Sequence, residues 1–353
     1  MAAPKVHPPN YMEGQLLRDD LAAILRGQAA PLRQAVERWS MSGITHVYLV
    51  GCGGSLATFR PVQMLLERHC AIPAVAMTGW DFVNRAPMRL GPGALVVLAS
   101  HSGTTEEVLV SLELAKRAGA ATLSFSLKAT PLSARADVAA TYDSIAANLS
   151  KLLLGYLLAC ELIARHGDRP IAGELAAALS ELPDLVHTTK EAKRDFGWDL
   201  ARRYRDTEPI YVLGTGLLEG LAYQFAICNL LEMHWRHAFA LNAAEFPHGP
   251  LEIVAPGVTF LVLLGTDDSR FVAERARDFI ARHGAEVVAI DVADLPGFHP
   301  SLAPFAAHLP LQWFNWYLGV ERDHPISTRR YMGVHPYAMA KAGAPGGPAD
   351  GTR

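Results

Sequence analysis

The chain has 353 residues, of which 50% are hydrophobic and 19% charged, and its formal net charge is −3. This length is sufficient for about two domains, and the apolar fraction is sufficient for a sizeable core. Lysine and arginine are scattered along the chain, whereas a nucleic-acid-binding protein normally carries a basic stripe. We therefore expect no nucleic-acid partner.

The cysteines and the apolar segments exclude further classes of protein. The four cysteines lie far apart and form neither a zinc-ligand pattern nor a disulfide framework. The N-terminus has no apolar run typical of a signal peptide, and the longest apolar segment, residues 152–164, is too short to span a bilayer. We expect a cytoplasmic protein without metal, cofactor or membrane contact. The cysteines are Cys52, Cys70, Cys160 and Cys228.

The first half of the chain alternates strand and helix patterns. Residues 1–14 are expected to be poorly ordered, and residues 15–39 form one or two helices broken near Pro31. Strands are predicted at residues 46–50, 74–77, 95–99 and 121–126. Helices are predicted at residues 56–68 and from 106 to a C-terminal cap at Gly119. A loop is expected around Trp80. This alternation predicts a parallel sheet covered by helices on both faces.

A second alternating segment follows a helical region. Residues 145–166 and 171–205 have helical patterns, with a break between them. Strands are then predicted at residues 210–213, 259–264 and 287–292, and helices at 218–235 and 271–283. An aromatic helix at 311–320 precedes a tail at 343–353 that we expect to be disordered.

The two alternating segments correspond to each other. Gly51 aligns with Gly214 and Gly119 with Gly284 at nearly constant spacing, which indicates an internal duplication. The loops after the equivalent strands differ, since residues 100–105 read SHSGTT and residues 265–269 read GTDDS. Because two aspartates would repel a phosphate, we expect the first half to bind an anion.

Hydroxyl side chains follow two neighbouring strands of the first half. Ser55 ends the run GCGGS, and Ser100, Ser102 and Thr105 belong to SHSGTT. Such residues are also ordinary helix caps and turn residues. Two clusters at the carboxyl ends of adjacent parallel strands favour a ligand site. Leu56 breaks the dinucleotide fingerprint, and no Walker lysine is present, so nucleotide binding is not expected.

Two further residues are candidates for acid–base chemistry. Glu232 lies in a strongly apolar helical segment, where it could be solvent-facing or line a cleft. His248 lies in a loop that two prolines restrain. His234 and His237 are three residues apart but have no third ligand at a suitable spacing, so we interpret them as structural or exposed.

GCGGS followed by SHSGTT resembles the sugar isomerase (SIS) domain, and the duplication resembles the double-SIS architecture of the isomerase half of glucosamine-6-phosphate synthase. The resemblance implies an α/β fold of two tandem SIS domains, each a flavodoxin-like three-layer α-β-α sandwich around a parallel sheet. It implies Glu232 and His248, in an HGP loop, as catalytic residues. It also implies a set of phosphate-binding residues, namely Gly53, Gly54, Ser55, Ser100, His101, Ser102 and Thr105.

The end of the second half departs from the synthase. Arg330, in PISTRR, stands where the synthase has the lysine that forms a Schiff base, and an arginine remains protonated and cannot form that imine. The ending TRRYM is instead similar to the fructosamine and fructoselysine-6-phosphate deglycases, whose substrates already carry an amine. Arg330 is expected to contact the substrate or to close the C-terminal segment over it.

The resemblance therefore implies a deglycase that cleaves a ketosamine 6-phosphate to an aldose 6-phosphate and an amine, in a homodimer with its active site at the subunit interface. An aldose–ketose isomerase or amino-sugar deaminase, and a non-catalytic sugar-phosphate sensor, remain as alternatives. The expected division is an N-terminal segment at 1–34, a phosphate-binding SIS domain at 35–167, a helical linker at 168–205, a catalytic SIS domain at 206–342 and a tail at 343–353.

Overall fold

The computed structural model describes residues 12–144 and 146–334. The expectations for the first eleven residues and for the tail at 343–353 lie outside these ranges. The first sheet is parallel, with the strand order β2-β1-β3-β4-β5. Its strands are β1 His46–Gly51, β2 Ala74–Met77, β3 Ala94–Ala99, β4 Ala121–Leu127 and β5 Val138–Tyr142.

The second sheet repeats this arrangement. Its order is β7-β6-β8-β9, so β7, β6, β8 and β9 occupy the places of β2, β1, β3 and β4. All pairings in both sheets are parallel. The shared order supports the duplication that the glycine spacing indicates, and β5 is an addition to the first sheet. The strands are β6 Ile210–Gly214, β7 Ala238–Asn242, β8 Thr259–Leu264 and β9 Glu286–Asp291.

Helices cover both sheets and join them. Those of the first half are α1 Gly14–Met41, α2 Gly54–His69, α3 Gly79–Arg85, α4 Glu106–Arg117, α5 Pro131–Arg135 and α6 Ala147–His166. Those that follow are α7 Arg169–Ala192, α8 Arg194–Arg203, α9 Glu219–Tyr223, a π-helix Gln224–Leu231, α10 Glu232–His234, α11 Arg270–Arg282 and α12 Ala303–Glu321. Short 3-10 turns occur at Gly216–Leu218, Pro250–Ile253, Val292–Asp294 and Pro300–Leu302.

Both faces of each sheet are apolar, because helices cover both. Val47 of β1 packs in a core with α1, α2 and α6, while its neighbour Tyr48 packs in a second core with α3 and α4. Phe260 and Leu261 of β8 divide in the same way between two cores of the second half. Successive strand residues point to opposite faces, so each half is a three-layer α-β-α sandwich. The order of the first sheet is that of flavodoxin.

Helix α1 corrects one prediction. The expected break near Pro31 is wrong, because one continuous helix runs through it from Gly14 to Met41. A proline removes only one helical hydrogen bond, and Pro31 is exposed. Leu32 and Val36 beside it are fully buried, so tertiary packing of the apolar face stabilises the helix across the proline.

Several short elements have no prediction from the sequence, among them α3, β5 and β7. Residues 79–85, taken as a loop around Trp80, form α3, which Thr78 caps by accepting a hydrogen bond from the Asp81 backbone N–H at 3.1 Å. Strands β5 and β7 lie at sheet edges and read VAATY and AFALN. Both are rich in alanine, which is depleted in strands, so local propensity gave no signal for either.

Helix α6 corresponds to the helix predicted at residues 145–166 and extends beyond the apolar segment at 152–164. Residues 147–166 form a 20-residue helix that is long and apolar enough to cross a membrane by length and composition, so the estimate that this region is too short was wrong. However, 72% of its apolar window is buried inside the protein, where it packs against α1, α2 and α7.

The expected domain division remains a prediction. Helix α1 runs across its first boundary at residue 34 and packs in the same core as the first sheet. Helices α7 and α8 occupy most of the expected linker at 168–205.

Candidate active site

Two loops leave the carboxyl edge of the first sheet side by side. Gly51 at the end of β1 pairs with Ala99 at the end of β3. The GCGGS run and the SHSGTT run follow these two residues directly. The hydroxyl clusters therefore lie at one edge, where parallel α/β sheets bind ligands.

The hydroxyls of the SHSGTT loop contact one another. Ser100 Oγ lies 2.8 Å from Thr105 Oγ1, and Ser102 Oγ lies 2.7 Å from Thr104 Oγ1. Thr105 occupies the N-cap position of α4, but its side chain accepts no hydrogen bond from the helix. Free backbone N–H groups of that first turn are thus available to an anion.

Gly103 allows the loop to turn tightly. Its φ is +64°, and a β-carbon added there would lie 2.2 Å from Thr130 Oγ1. Its N–H donates to Ser100 Oγ at 3.1 Å. A side chain at this position would therefore both strain the backbone and collide with α5's cap.

The GCGGS loop is built against α6. Gly53 has φ +51°, and a β-carbon on Gly54 would lie 2.8 Å from Asn148 Oδ1. Ser55 is buried, and its Oγ accepts a hydrogen bond from Lys151 Nζ at 2.7 Å. The loop is therefore fixed by close backbone approach on one side and by a lysine on the other.

Lys151 is the residue that sequence reasoning missed. It is buried within the apolar helix α6, and burial lowers the pKa of its ammonium to about 8. Its signal in the sequence is a lysine in the second turn of a largely apolar helix.

His101 joins the same cluster. Its Nδ1 lies 3.1 Å from the Tyr142 hydroxyl, at the end of β5. Burial first, and then the charge of Lys151, lower the pKa of the imidazole. His101 therefore lies close enough to Lys151 to sense its charge, and it is predominantly neutral at pH 7.

Glu232 follows the π-helix of the second half directly. A π-helical stretch is rare and is frequently found at functional sites. Cys228, one turn before Glu232, has its sulfur 3.7 Å from the position of a β-carbon on Gly53. Burial, and then the charge of Glu232, raise the pKa of this thiol to about 12, while Lys151 and a hydrogen bond with the Gly54 backbone oppose the rise. Cys228 therefore lies between the GCGGS loop and Glu232.

Close packing between the halves positions this helix. A β-carbon on Gly220 of α9 would lie 2.3 Å from the carbonyl oxygen of Ala57 on α2. One turn away, Arg60 pairs with Glu219 at 2.6 Å. Helix α2, which begins at the GCGGS loop, thus rests on the helical segment that leads to Glu232.

An arginine contacts the Glu232 carboxylate. Arg329 Nη2 lies 2.9 Å from Glu232 Oε1, and both side chains are partly buried. Arg329 also donates to the backbone oxygens of Ile326 and Thr328. The singled-out Arg330 is exposed and stacks its guanidinium 4.1 Å from the Trp235 ring centroid. The structure therefore places Arg329, and not the predicted Arg330, against the Glu232 carboxylate.

His248 lies apart from the cluster in this chain. It is exposed on the loop after β7 and lines a cleft of about 580 Å³ with Phe279 and Arg275 of α11. No hydrogen bond or ion pair joins its side chain to Glu232 within residues 12–144 and 146–334. The structure places Glu232 near the GCGGS loop, through Cys228, but joins neither Arg330 nor His248 to them by a contact.

The loop at residues 265–269 is the equivalent of SHSGTT in the second half, and side-chain contacts occupy its carboxylates. Asp267 accepts hydrogen bonds from the N–H and hydroxyl of Ser269 at 2.9 and 2.5 Å, and Asp268 pairs with Arg68. Arg270 Nη1 donates to the Gly265 carbonyl at 2.7 Å. Carboxylates stand here where the first half presents hydroxyls.

The two histidines near Glu232 lie in different environments. His234 is buried with its Nε2 3.1 Å from Asn315 Oδ1, whereas His237 is exposed. Among the residues that the structure describes, no group of three potential ligands converges. This agrees with their interpretation as structural and exposed residues.

The fold and the two loops define a protein built from SIS domains. The SIS domain family model matches residues 40–164, which contain the first sheet and both hydroxyl loops. The predicted architecture of two tandem SIS-type units is confirmed by solved structures. One, a proposed phosphosugar isomerase of Salmonella typhimurium, superposes with a TM-score of 0.82 at 29% identity and covers 88% of this chain and 100% of its own.

Two curated relatives specify the family further. The fructoselysine 6-phosphate deglycase of Escherichia coli is 36% identical over 92% of this chain and 96% of its own length. The fructosamine deglycase of Bacillus subtilis is 33% identical over 82% of this chain and 92% of its own length. The chain belongs to the family of SIS-domain deglycases.

Proposed function

We propose that this protein is a deglycase that cleaves a ketosamine 6-phosphate to an aldose 6-phosphate and a free amine. The observation that carries the proposal is that Cys228 lies against the GCGGS loop on one side and senses the charge of the Glu232 carboxylate on the other. The two curated deglycases match nearly the whole chain, and this favours amine release over sugar interconversion.

The first half would hold the phosphate. Hydroxyl groups and helix N-termini together make a suitable anion site, and Asp267 and Asp268 make the equivalent loop of the second half unsuitable. The residues that we assign to the phosphate are the backbone of Gly53 and Gly54 and the side chains of Ser55, Ser100, His101, Ser102 and Thr105.

Glu232 would carry the proton transfers. Its carboxylate removes a proton from C1 of the open-chain ketosamine, and the electron pair forms a C1–C2 double bond as the C2 carbonyl oxygen takes a proton from water and becomes a hydroxyl. The resulting enaminol takes a proton at C2, which gives an aldimine. Water adds to the imine carbon, and the C1–N bond then breaks to release the amine and the aldehyde. Arg329 orients the Glu232 carboxylate throughout.

The substrate's own nitrogen makes an enzyme imine unnecessary. Arg330 stands where the related synthase has a lysine, and an arginine does not form an imine. Its exposed guanidinium over Trp235 leaves it free to contact a substrate group at the mouth of the site.

His248 would act in the site of a second copy of the chain, as an acid–base group in ring opening. Its exposure supports this role, because a partner subunit can reach it. A mixture of two inactive variants, Glu232→Gln and His248→Asn, tests it. If the site is shared, the mixture should recover about a quarter of wild-type activity, because one site in each mixed dimer is intact. If both residues act within one chain, the mixture stays inactive.

A substrate screen tests the proposed function directly. Fructosamine 6-phosphates of several amino acids, and the same compounds without phosphate, would be incubated with the protein. We expect equal amounts of aldose 6-phosphate and free amine, from the phosphorylated compounds only. Sugar-phosphate interconversion without amine release would instead identify an isomerase, and binding without turnover would identify a sensor.

A further inference from the structure

We infer that Lys151 is a phosphate-contacting residue, and that its buried ammonium is the counter-charge of the substrate's phosphate. The inference deepens the proposed function, since the identity of the anion as a sugar phosphate rests on it. Lys151 lies on helix α6, outside the two loops that carry the SIS-type motifs.

The surroundings of Lys151 leave its charge without a protein counter-ion. Its side chain is 3% exposed, and the hydrogen bond that it makes is to the neutral Ser55 hydroxyl at 2.7 Å. No carboxylate of residues 12–144 or 146–334 lies within ion-pair distance. A buried charge without a partner is costly, and such a group is retained where a ligand supplies the opposite charge.

The titratable groups that face Lys151 do not supply that charge. His101, on the loop after β3, has a lowered pKa and is hydrogen-bonded to Tyr142. Cys228, on the π-helix, has a pKa of about 12 and is therefore a neutral thiol at pH 7. Glu232 lies beyond Cys228 and is already paired with Arg329. The empty site thus carries a net positive charge beneath the hydroxyl loops.

The position of the ammonium matches the anion loops. Ser55, its hydrogen-bond partner, is the first hydroxyl of α2's N-terminal turn, and His101 belongs to SHSGTT. Lys151 therefore contacts the GCGGS loop directly and lies close enough to the SHSGTT loop for its charge to act on His101. A phosphate held there would complete the hydrogen bonding of the ammonium and offset the cost of its burial.

A second buried lysine provides a matched control. Lys190 of α7 is also fully buried, and burial lowers its pKa to about 7. It contacts Gln312 and lies 4.7 Å from the Trp313 ring centroid, in the packing of α7 against α12. Lys190 thus shares the burial of Lys151 without its proximity to the loops.

The inference predicts a coupling between binding and protonation. Burial lowers the pKa of Lys151 to about 8 in the empty site, so at pH 8.5 most of it is neutral. A phosphate dianion beside it raises that pKa. Binding above pH 8 should therefore be accompanied by uptake of a proton, and kcat/KM should fall as the pH rises through 8 while kcat changes less.

Calorimetric titration with fructose 6-phosphate tests the inference, with fructose as the unphosphorylated control. Titrations at pH 7.0 and 8.5, in buffers that differ in ionisation enthalpy, give both the affinity and the number of protons taken up. We expect uptake by the wild type at pH 8.5. Lys151→Met should bind at least about tenfold more weakly, because a hydrogen bond to a charged group is lost, and should show no uptake. Lys190→Met should behave as wild type.

The outcomes separate the inference from the proposed function. If Lys151→Met, shown to be folded by its melting curve, binds fructose 6-phosphate as wild type does, the inference is overturned. If binding depends on Lys151 but no ketosamine 6-phosphate is cleaved, the inference stands and the proposed deglycase activity fails.

Discussion

The two halves of the molecule share a strand order but end their central strands differently. At residues 100–105 the first half presents hydroxyls above the buried Lys151. At residues 265–269 the second half presents two carboxylates, held by Ser269 and Arg68. A duplicated scaffold has thus kept its sheet while only one loop remains suited to an anion. The second half contributes Glu232 instead, from the helix that follows its first strand.

That helix differs from its counterpart in the first half as well. Helix α2 is regular from Gly54 to His69, whereas the equivalent segment passes through a 3-10 turn, α9 and a π-helix before Glu232. A π-helical stretch changes which side chains face the partner helix. The half with the irregular helix is therefore the half that contributes Glu232, which in our proposal acts on a substrate held by the first half.

The largest effect is expected from Glu232, the carboxylate that we propose as the base. Glu232→Gln keeps the size and polarity of the side chain but removes the base, and positioned acid–base groups contribute about 10²–10⁴-fold. We expect kcat to fall by this factor, with fructose 6-phosphate binding unchanged. Glu181→Gln, an exposed position on α7, serves as the control. Turnover of Glu232→Gln within tenfold of wild type would contradict the assignment.

A carboxylate placed in the SHSGTT loop, as GTDDS has in the second half, should greatly weaken substrate binding. Ser102 is exposed, so Ser102→Asp should fold. A carboxylate about 4 Å from the phosphate costs about 4 kcal/mol at a partly screened site, which predicts at least a 100-fold fall in kcat/KM. Ser102→Ala should cost only about tenfold. Equal effects of the two substitutions would show that Ser102 does not face the anion.

The adjacent arginines should separate catalysis from binding. Arg329→Ala removes the contact that orients Glu232, and misplacement of a base by about 1 Å can cost on the order of 100-fold. We therefore expect kcat to fall by about 10- to 100-fold. Arg330→Ala should instead raise KM by a smaller factor. Steady-state kinetics of both variants with one ketosamine 6-phosphate check this, and the reverse pattern would exchange the two roles.

The smallest effect on activity is expected from Asp291, whose partner Arg270 holds the loop at residues 265–269. Arg270 pairs with Asp291 through two hydrogen bonds of 2.7 Å and also holds the Gly265 carbonyl. Asp291→Asn should lower the free energy of unfolding by about 1.5–3 kcal/mol and leave KM unchanged. A rise in KM would mean that the second loop also contacts the substrate.

The pH dependence of this loss has a defined sign. The hydrogen bonds from Arg270 lower the pKa of Asp291, so the stabilisation is complete above the ordinary aspartate pKa of about 3.9. It is lost as the pH falls through the lower pKa of the folded state. Denaturant unfolding at several pH values should give a constant difference between wild type and Asp291→Asn above pH 4, and a shrinking one below. Asp278→Asn, an exposed position, should show no such difference.

Sequence reasoning could predict the parts of the molecule that local patterns determine. The alternation of apolar strands and helices predicts seven of the nine strands in the part of the chain that the structure describes. The turn residues of GCGGS and SHSGTT predict an anion-binding edge. The burial of Lys151 depends on how α6 packs against its neighbours, which no local pattern reveals. Arg329 and Arg330 are adjacent in sequence, and only the fold decides which one reaches Glu232. The π-helix, in the apolar run QFAICNLL, has no sequence signature either.

The most direct test of the account is the product that a ketosamine 6-phosphate yields in D₂O, followed by NMR for wild type and Glu232→Gln. Proton transfer from C1 to C2 through an exchangeable carboxyl group predicts an aldose 6-phosphate with deuterium at C2 in part of the molecules. The account predicts that Glu232→Gln forms it at least about 100-fold more slowly. Release of a ketose 6-phosphate, or equal rates for the two proteins, would contradict the claim that Glu232 acts on a substrate anchored by the first half.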